Sequence, residues 1–293
     1  MQTTEFDVDV EHEYGGTRIR TRQLGSGEPL LLLHGFPETG VTWSKVAARL
    51  AEDFSVVVPD LRGYGASGHP EAGADHSGYS FRAMAADQVA LMSKLGYNDF
   101  HVAGHDRGGR VAHRLALDYE DAVRRIAVMD ILPTQYIYDT IDKPFAEANY
   151  HWFFLVQPEP LPELMVGDNP ERYLRSLLHL AGSDTGGFDP QHIIEYVSAF
   201  NNPAVRHAMF EDYRAAATVD LASDLVDKHA GRLVKAPLLV LWAARGANAV
   251  RDPIAVWKQF ASSVRGDSVD SGHFMVDERP DEIYELLKNF FAS

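Results

Sequence analysis

Short, continuous apolar runs alternate with helical patterns along most of this chain, and this alternation restricts the possible folds more than any other feature. The runs are Pro29 to Gly35, Phe54 to Asp60, Phe100 to Asp106, Arg125 to Ile131 and Ala236 to Trp242. Their richness in Val and Leu is typical of strands buried on both faces of a parallel sheet. Segments between them, such as "FRAMAADQVALMSKLG", have the pattern of helices. The sequence therefore predicts an α/β fold.

Two further features refine this prediction. The polar, alternating segments "FDVDVEH" and "TRIRTRQL" near the start favour antiparallel edge strands. After Asp130 the alternation stops, and from about Pro133 to about Arg232 only helical patterns follow. We interpret this stretch as an inserted helical cap. The expected organisation is a core domain of residues 1–132 and 233–293, with a cap at 133–232 between the sixth and seventh strands.

Composition excludes several classes of protein. The chain of 293 residues has no cysteine, so disulfides are excluded, and its formal net charge of -15 disfavours nucleic-acid binding. No segment approaches the roughly 18 apolar residues of a membrane span, and the N-terminus lacks a basic start with an apolar run. The histidines are scattered without metal-ligand spacing. We expect a cytoplasmic protein with no metal, organic cofactor, nucleic acid or membrane as partner.

Asp106 is the first candidate for chemistry. It occupies the centre of a G-x-D-x-G motif in "HVAGHDRGGRVAHRL", between a predicted strand and a predicted helix that begins near Gly108. Gly104 and Gly108 would allow a tight turn that presents a nucleophile, and a helix N-terminus favours negative charge. The five residues alone favour a simple helix cap. Only their context makes Asp106 a candidate nucleophile.

That context resembles the α/β-hydrolase family over almost the whole chain. The segments "LLLLHGFPET", "VVVPDLRGYGASG" and "VDSGHFMVDERPDEI" resemble the family's loop after the third strand, its turn after the fourth strand and its loop with the general base. The resemblance implies a mostly parallel, eight-stranded sheet flanked by helices. It also implies His273 as the base and the backbone N–H groups of Phe36 and Arg107 as an oxyanion hole.

The acid that orients the base has two candidates, because such an acid usually follows the sixth or the seventh strand in this family. Asp130 ends the sixth predicted strand, at the edge of the sheet where the site of an open α/β fold lies. Asp252 lies ten residues beyond Trp242 in the seventh strand. We predict that Asp130 is the acid and keep Asp252 as the alternative.

An aspartate nucleophile restricts the reaction. A serine that attacked a saturated carbon would form an ether, whereas Asp106 would form an ester. A water deprotonated by His273 can cleave that ester while backbone N–H groups hold the developing oxyanion. The sequence therefore indicates displacement at an sp3 carbon that bears a leaving group, and carbon–halogen compounds and epoxides both fit.

Two arginines and three hydrogen-bond donors favour carbon–halogen compounds over epoxides. Arg107 and Arg110 follow the nucleophile closely, and guanidinium groups bind carboxylates bidentately. The alternative for Arg110 is an ion pair with a surface acid. In the predicted cap, His151, Trp152 and Tyr213 are hydrogen-bond donors that could stabilise a departing halide, although aromatic residues there commonly serve packing.

Five segments together resemble the fluoroacetate dehalogenases: "GHDRGGRVAHRLALDY", "MDILPT", "HWFFLVQPEP", "EDYRAAATVDL" and "SGHFMVDE". The resemblance implies an Asp106–Asp130–His273 triad and a homodimer. It also implies that Arg107 and Arg110 hold the carboxylate of a small haloacid and that His151, Trp152 and Tyr213 form a halide pocket. The chain departs from the family at Gly109, where we would expect alanine, and in "WAARGANAV".

We therefore expect hydrolysis of short 2-haloacetates, foremost fluoroacetate to glycolate and fluoride, without a cofactor. Two alternatives stay open. An epoxide hydrolase would use the same triad with two cap tyrosines, taken from Tyr136, Tyr138, Tyr150, Tyr173 and Tyr213. A non-catalytic protein could use the same fold to bind a ligand, because fold alone does not determine function.

Overall fold

An eight-stranded sheet forms the centre of the protein. A computed structural model describes residues 3–181 and 187–293, so residues 1–2 of the predicted core and 182–186 of the predicted cap lie outside the described residues. The strands are β1 Thr4–Val10, β2 Thr17–Leu24, β3 Glu28–Leu33, β4 Phe54–Pro59, β5 Phe100–His105, β6 Val123–Met129, β7 Leu238–Ala243 and β8 Val264–Val269. Their order in the sheet is β1-β2-β4-β3-β5-β6-β7-β8. The pairs β1–β2 and β2–β4 are antiparallel, and all other pairs are parallel.

Fourteen α-helices accompany the sheet within the described residues. They are α1 Ser44–Leu50, α2 Phe81–Lys94, α3 Asp106–Asp118, α4 Thr134–Asp139, α5 Lys143–Ala148, α6 Tyr150–Leu155, α7 Leu161–Gly167, α8 Pro170–Leu180, α9 Pro190–Asn201, α10 Pro203–Ala215, α11 Leu221–His229, α12 Pro253–Trp257, α13 Met275–Glu278 and α14 Pro280–Phe291. A π-helical turn, Ala216–Asp220, joins α10 to α11. None of these helices is long and apolar enough to cross a membrane.

Alternation of side chains along the strands divides the core into two layers. Leu31 and Leu33 of β3 pack on the side of α2 and α3, whereas Leu30 and Leu32 pack on the side of α1 and α14. Since the central strands are buried on both faces, their sequences are largely apolar. Helices on both faces of a mostly parallel, eight-stranded sheet give the α/β architecture predicted from the sequence.

The edges of the sheet differ in one respect from the sequence prediction. β1 is an antiparallel edge strand as expected, but β2 lies inside the sheet because it also pairs with β4. β8 forms the other edge, and its sequence "VRGDSV" contains no apolar run because most of its side chains are exposed or half-buried. The total of eight strands was therefore predictable from the family resemblance and not from the apolar runs.

Within its described residues, the segment between β6 and β7 contains the eight helices α4 to α11 and no strand of the sheet. Helix α9 packs against the 3-10 turn Gly40–Trp43, and α10 packs against the turn Ser77–Tyr79. Both turns follow the carboxyl ends of sheet strands, β3 and β4. The inserted helices therefore cover the edge of the sheet at which β5 delivers Asp106.

Candidate active site

Asp106 stands at a strained turn between β5 and α3. Its φ is +46°, a left-handed value that residues other than glycine rarely adopt. The turn is also closely packed: a Cβ atom added to Gly104 would lie 2.2 Å from the oxygen of Gly108, and one added to Gly108 would lie 2.4 Å from the oxygen of His34. Helix α3 begins at Asp106 itself, two residues earlier than the position near Gly108 that the sequence suggested. The geometry is that of a nucleophile elbow.

The loop after β3 lies directly against this elbow. The backbone N–H of Phe36 donates to Oδ2 of Asp106 at 2.9 Å. Arg107 lies in the first turn of α3, where backbone N–H groups have no intrahelical acceptor. His34 ties the loop in place, since its Nε2 accepts from the N–H of Leu61 at 2.9 Å and its Nδ1 therefore donates to the oxygen of Gly35. Of the two predicted oxyanion donors, the N–H of Phe36 therefore contacts the Asp106 carboxyl group, and the N–H of Arg107 belongs to the next residue along the chain.

His273 and Asp130 meet at the same place. Nδ1 of His273 donates to Oδ2 of Asp130 at 2.6 Å, which leaves the lone pair of the neutral ring on Nε2. That Nε2 atom is 3.8 Å from Oδ1 of Asp106, beyond hydrogen-bond length. Asp130 is fixed by the N–H of Ala243, which donates to Oδ1 at 3.1 Å, and by Asn248, whose amide donates to the Asp130 backbone oxygen at 2.8 Å. The predicted base therefore lies beside the predicted nucleophile without a hydrogen bond to it.

Asp252, the alternative acid, does not join this group. It is exposed, and its carboxylate accepts from the N–H of Ala255 at 3.1 Å as the N-cap of α12. The alternative is wrong because this short helix uses the side chain as its cap.

The surroundings of Asp106 keep it ionised. Burial by itself would raise the pKa of this carboxyl group, but His273, Arg107 and His105 together with the N–H of Phe36 outweigh burial and hold the pKa well below its usual range. An ionised carboxylate is the form that attacks carbon.

Arg110 lies in the same cavity and has no carboxylate partner among the described residues. Its Nη1 donates to the oxygen of Leu132 at 3.0 Å and to Oγ1 of Thr134 at 2.8 Å, and its guanidinium carbon lies 4.7 Å from the ring centroid of Trp152. Burial, and then the charge of Arg107, lower the pKa of Arg110 to about 10, so the group is still charged at neutral pH. The alternative of a surface ion pair is wrong. Arg110 is a buried cation that lines the same cavity as the Asp106 carboxylate.

Arg107 lies deeper, behind Tyr213. Its guanidinium carbon is 3.7 Å from the ring centroid of Tyr213, and its Nε is 3.5 Å from Oδ2 of Asp212, an ion pair without hydrogen-bond geometry. Burial alone would lower the pKa of this guanidinium, but Asp212 raises it above its usual value. Among the described residues, Nε and Nη2 of Arg107 are buried without a hydrogen-bond acceptor. Buried donors of this kind are typical of a site for an anion.

The three predicted donors of the inserted segment line the same cavity as Asp106 and Arg110. The rings of His151 and Tyr213 are 5.9 Å apart, and the ring of Phe36 packs against both. Burial lowers the pKa of His151 to about 3, so its imidazole is neutral and offers one N–H. The cavity has a volume of about 200 Å³ and is lined by His273 as well. Predicted nucleophile, base, one arginine and three donors therefore face one small space.

No group of three or more His, Cys, Asp and Glu side chains within residues 3–181 and 187–293 has the arrangement of a metal site. The residues that sequence reasoning did not identify are those that support the others, chiefly Glu38, His105, Thr134, Asp212 and Asn248. Asp212 directly precedes Tyr213 in the segment "EDYRAAATVDL". An acid next to a predicted donor is the signal by which the sequence could have identified Asp212 as part of the site.

Comparison with known proteins relates this geometry to known enzymes. The α/β-hydrolase fold family matches residues 28–280. Fluoroacetate dehalogenase from Burkholderia sp is 44% identical over 271 residues, which are 92% of this chain and 88% of that protein. A soluble epoxide hydrolase from Corynebacterium sp. (strain C12) is 32% identical over 281 residues, 94% of each chain. The crystal structure of ALR0039 from Nostoc sp PCC 7120 has a TM-score of 0.95 at 48% identity and covers 99% of this chain and 98% of that one.

Proposed function

The chain belongs to the α/β-hydrolase family and is a homologue of fluoroacetate dehalogenase, and we propose that it hydrolyses short 2-haloacetates through an ester of Asp106. The observation that carries the proposal is Arg110, a buried cation without a carboxylate partner among the described residues, in the cavity of an ionised Asp106. A substrate that carries its own carboxylate supplies the missing anion. A neutral substrate would leave that cation uncompensated.

The first step is a displacement at carbon. Arg110 holds the substrate carboxylate at the cavity wall, and Arg107 contributes its unpaired Nη2 from behind Tyr213. The two positive charges offset the repulsion between the substrate carboxylate and Asp106. Oδ1 of Asp106 attacks the halogen-bearing carbon, the carbon–halogen bond breaks, and the halide leaves with the bonding electrons toward His151, Trp152 and Tyr213. Donors at that end act when the halide gains charge, so they stabilise the transition state more than the bound substrate.

The second step is hydrolysis of the ester. Nε2 of His273 takes a proton from a water that attacks the carboxyl carbon of Asp106, and the N–H groups of Phe36 and Arg107 hold the oxyanion. Collapse releases the hydroxyacid, whose oxygen takes the proton from His273, and leaves Asp106 as a carboxylic acid. Loss of the second proton of the water to solvent then restores the Asp106 carboxylate. Since Asp130 accepts from Nδ1, it stabilises the imidazolium between the two proton transfers.

An epoxide hydrolase reaction would require two tyrosine hydroxyls beside Asp106. Of the five tyrosines considered, Tyr150 and Tyr213 line the cavity, and the ring of Tyr213 is stacked on the guanidinium of Arg107. Arg110 has no role in that reaction. The haloacid reaction gives Arg110 a role and is the one we propose.

The test is release of free halide from fluoroacetate and chloroacetate in parallel, with diol formation from a styrene-type epoxide as the third arm. We expect both halides to be released by the wild-type protein and by Asp267→Asn, a matched change on the exposed face of β8. Asp106→Asn should release neither. Diol formation without halide release would establish the epoxide reaction instead, and ligand binding without any turnover would leave a non-catalytic protein.

We propose a core domain of residues 1–132 and 233–293 and a cap of residues 133–232. The inserted helices carry the three proposed halide donors, whereas the core carries the proposed triad. Exposed apolar side chains on α7, namely Leu161, Leu164 and Met165, support the predicted homodimer, which light scattering in solution would test. The cytoplasmic location stays a prediction for cell fractionation.

A further inference from the structure

The ring of His105 lies between two hydrogen-bond acceptors. Its Nδ1 is 2.9 Å from Oε2 of Glu38, and its Nε2 is 2.7 Å from the backbone oxygen of His273. The side chains of His105 and Glu38 are both fully buried. A carbonyl oxygen can only accept, so Nε2 carries a proton. If Glu38 is ionised, Nδ1 carries one as well, and the ring is an imidazolium.

Glu38 has the surroundings of an ionised carboxylate. Its Oε2 also accepts from the N–H of Gly35 at 2.9 Å, and the hydroxyl of Thr42 lies 3.1 Å from Oε1. Several donors on one carboxylate stabilise its charged form. Burial alone would raise the pKa of Glu38, but His105 and the N–H of Gly35 outweigh it and lower the pKa below its usual value.

The two ends of this pair are parts of the proposed machinery. Gly35 precedes Phe36, whose N–H bonds to Asp106. The backbone oxygen that accepts from Nε2 of His105 belongs to His273, the proposed base. His105 itself precedes the nucleophile. The Glu38–His105 pair therefore joins three parts of the site from behind, on the side away from the substrate. These are the loop after β3 that carries Phe36 (the oxyanion loop), the loop after β8 that carries His273 (the base loop) and the turn at Asp106 (the elbow).

We propose that His105 is a positioning residue of this enzyme, held as an imidazolium between Glu38 and the carbonyl oxygen of His273 so that the base loop keeps its place. The proposal depends on the proposed function, because the base loop matters only if His273 activates water. A neutral His105 ring has one N–H, so a lone pair would then face either the Glu38 carboxylate or the His273 carbonyl oxygen.

The charges that face His105 determine when the ring loses its proton. They are Glu38 from the loop after β3, Asp106 from α3, and both the carbonyl group and the imidazole of His273 from the base loop. The ring centroids of His105 and His273 are 4.8 Å apart. Burial alone would lower the pKa of His105, but Glu38 and Asp106 outweigh it and raise the pKa to about 9. The imidazolium is therefore complete at neutral pH and is lost as the pH rises through about 9. We expect kcat to fall on the alkaline side with that midpoint.

Glu38→Gln tests the charge without removing the contacts. The amide oxygen can accept from Gly35 and His105, and its NH₂ group can donate to Thr42. Without the carboxylate, the proton affinity of His105 should fall by about tenfold or more, so the alkaline midpoint of kcat should move toward neutrality by about one pH unit or more. KM should change little, because the arginines that bind the substrate are untouched.

The matched control is Glu163→Gln. Glu163 also accepts from a histidine, His207, at 2.9 Å, but it lies on α7 outside the cavity. Its pH profile should equal that of the wild-type protein. If Glu38→Gln lowers kcat equally at every pH, or shares the alkaline midpoint of the wild-type protein, His105 is not held as proposed.

A second measurement needs no turnover. In ¹⁵N-histidine-labelled wild-type protein without substrate at pH 8, both ring nitrogens of His105 should have the chemical shifts of protonated nitrogens. A proton on Nε2 alone would place the other proton on Glu38 and overturn the proposal. Because this result is independent of catalysis, it also separates a failure of this inference from a failure of the proposed reaction.

Discussion

Asp106 and the substrate of the proposed reaction carry charges of the same sign, and individual residues decide whether the two can meet. Arg110 has no acid within ion-pair distance among the described residues, although the chain has 42 acidic residues against 27 lysines and arginines. An arginine kept apart from acids in so acidic a protein is available for a ligand. Arg107, by contrast, is already shared with Asp212, so the two arginines should contribute unequally to affinity.

The role of His273 can be tested by trapping the ester. His273→Asn should still form the ester on Asp106 but should not hydrolyse it, because the amide cannot take a proton from water. Turnover should fall by about 10²–10⁴-fold, the usual contribution of a general base. Mass spectrometry of the peptide that contains Asp106 should find one carboxymethyl group after incubation with chloroacetate. The double variant with Asp106→Asn is the control, and an unmodified Asp106 peptide in the single variant would exclude this role.

The halide donors can be tested by comparing leaving groups. Trp152→Phe keeps an aromatic ring over Arg110 but removes the indole N–H. Fluoride accepts hydrogen bonds strongly and leaves poorly, so its release should slow by about 10- to 100-fold, the value of one hydrogen bond to a charged group. Chloride release should slow much less. Equal losses for the two halides would mean that Trp152 only packs.

For individual residues, the sequence was informative where the residue type itself suggests a role. The location of Asp106, Arg110, His151, Trp152 and Tyr213 in one cavity was predictable, because candidates for a nucleophile, a cation and donors are recognisable residue types in recognisable segments. Glu38 and His105 were not, because their importance comes from contacts across the chain: the bond from His105 to the backbone of His273 spans 168 positions. Every residue type has a backbone carbonyl oxygen, so the sequence does not indicate which carbonyl accepts such a bond.

Among the elements, the π-helical turn between α10 and α11 places a buried acid at the start of another helix. Asp220 accepts from the N–H of Phe81, the first residue of α2, at 3.0 Å. Burial raises its pKa to about 7, despite that hydrogen bond. The turn thus connects the inserted helices to the core through a carboxyl group that is partly protonated at neutral pH.

Asp220 should make the protein less stable as the pH rises. Its pKa is about 7 in the folded protein and about 3.9 in an unfolded chain. Because the folded protein binds this proton more tightly, Asp220 lowers the free energy of unfolding as the pH rises from about 4 to about 7. The total decrease is at most about 4 kcal/mol. Asp220→Asn should lack this loss, so its stability relative to the wild-type protein should increase between pH 4.5 and pH 7.5.

Urea unfolding at several pH values measures this difference. The exposed Asp168 at the end of α7 supplies a control, since Asp168→Asn should shift stability by a constant amount. A constant difference for Asp220→Asn as well would show that Asp220 is ionised throughout this range.

Elements were predictable from the sequence in proportion to their burial. β3, β4 and β5 are buried on both faces and stand out as apolar runs, whereas β8 is an exposed edge strand whose sequence resembles a loop. The start of α3 was placed two residues late because glycine at 108 suggests a helix boundary. Here Gly108 is required by the close approach of the loop after β3, and the helix already includes Asp106.

For the whole molecule, the net charge of -15 opposes the approach of an anionic substrate. The Debye length shortens from about 30 Å at 0.01 M salt to about 8 Å at 0.15 M, so salt screens distant surface acids more than it screens the buried arginines. KM for chloroacetate should therefore fall, by roughly twofold to tenfold, as a non-halide salt is added over this range. A KM that rises with salt would mean that the local cations dominate the approach as well as the binding.

The base loop is also bonded to the inserted helices. The backbone N–H of His273 donates to the oxygen of Ala181, directly after α8, at 3.2 Å. Exchange of one helical insert for another is an obvious route to new substrates in enzymes of this architecture, whether by evolution or by design. In this protein such a chimera would have to reproduce one carbonyl oxygen at the end of α8. Without it, the imidazole would lose one of its anchors, however well the transplanted helices fitted the new substrate.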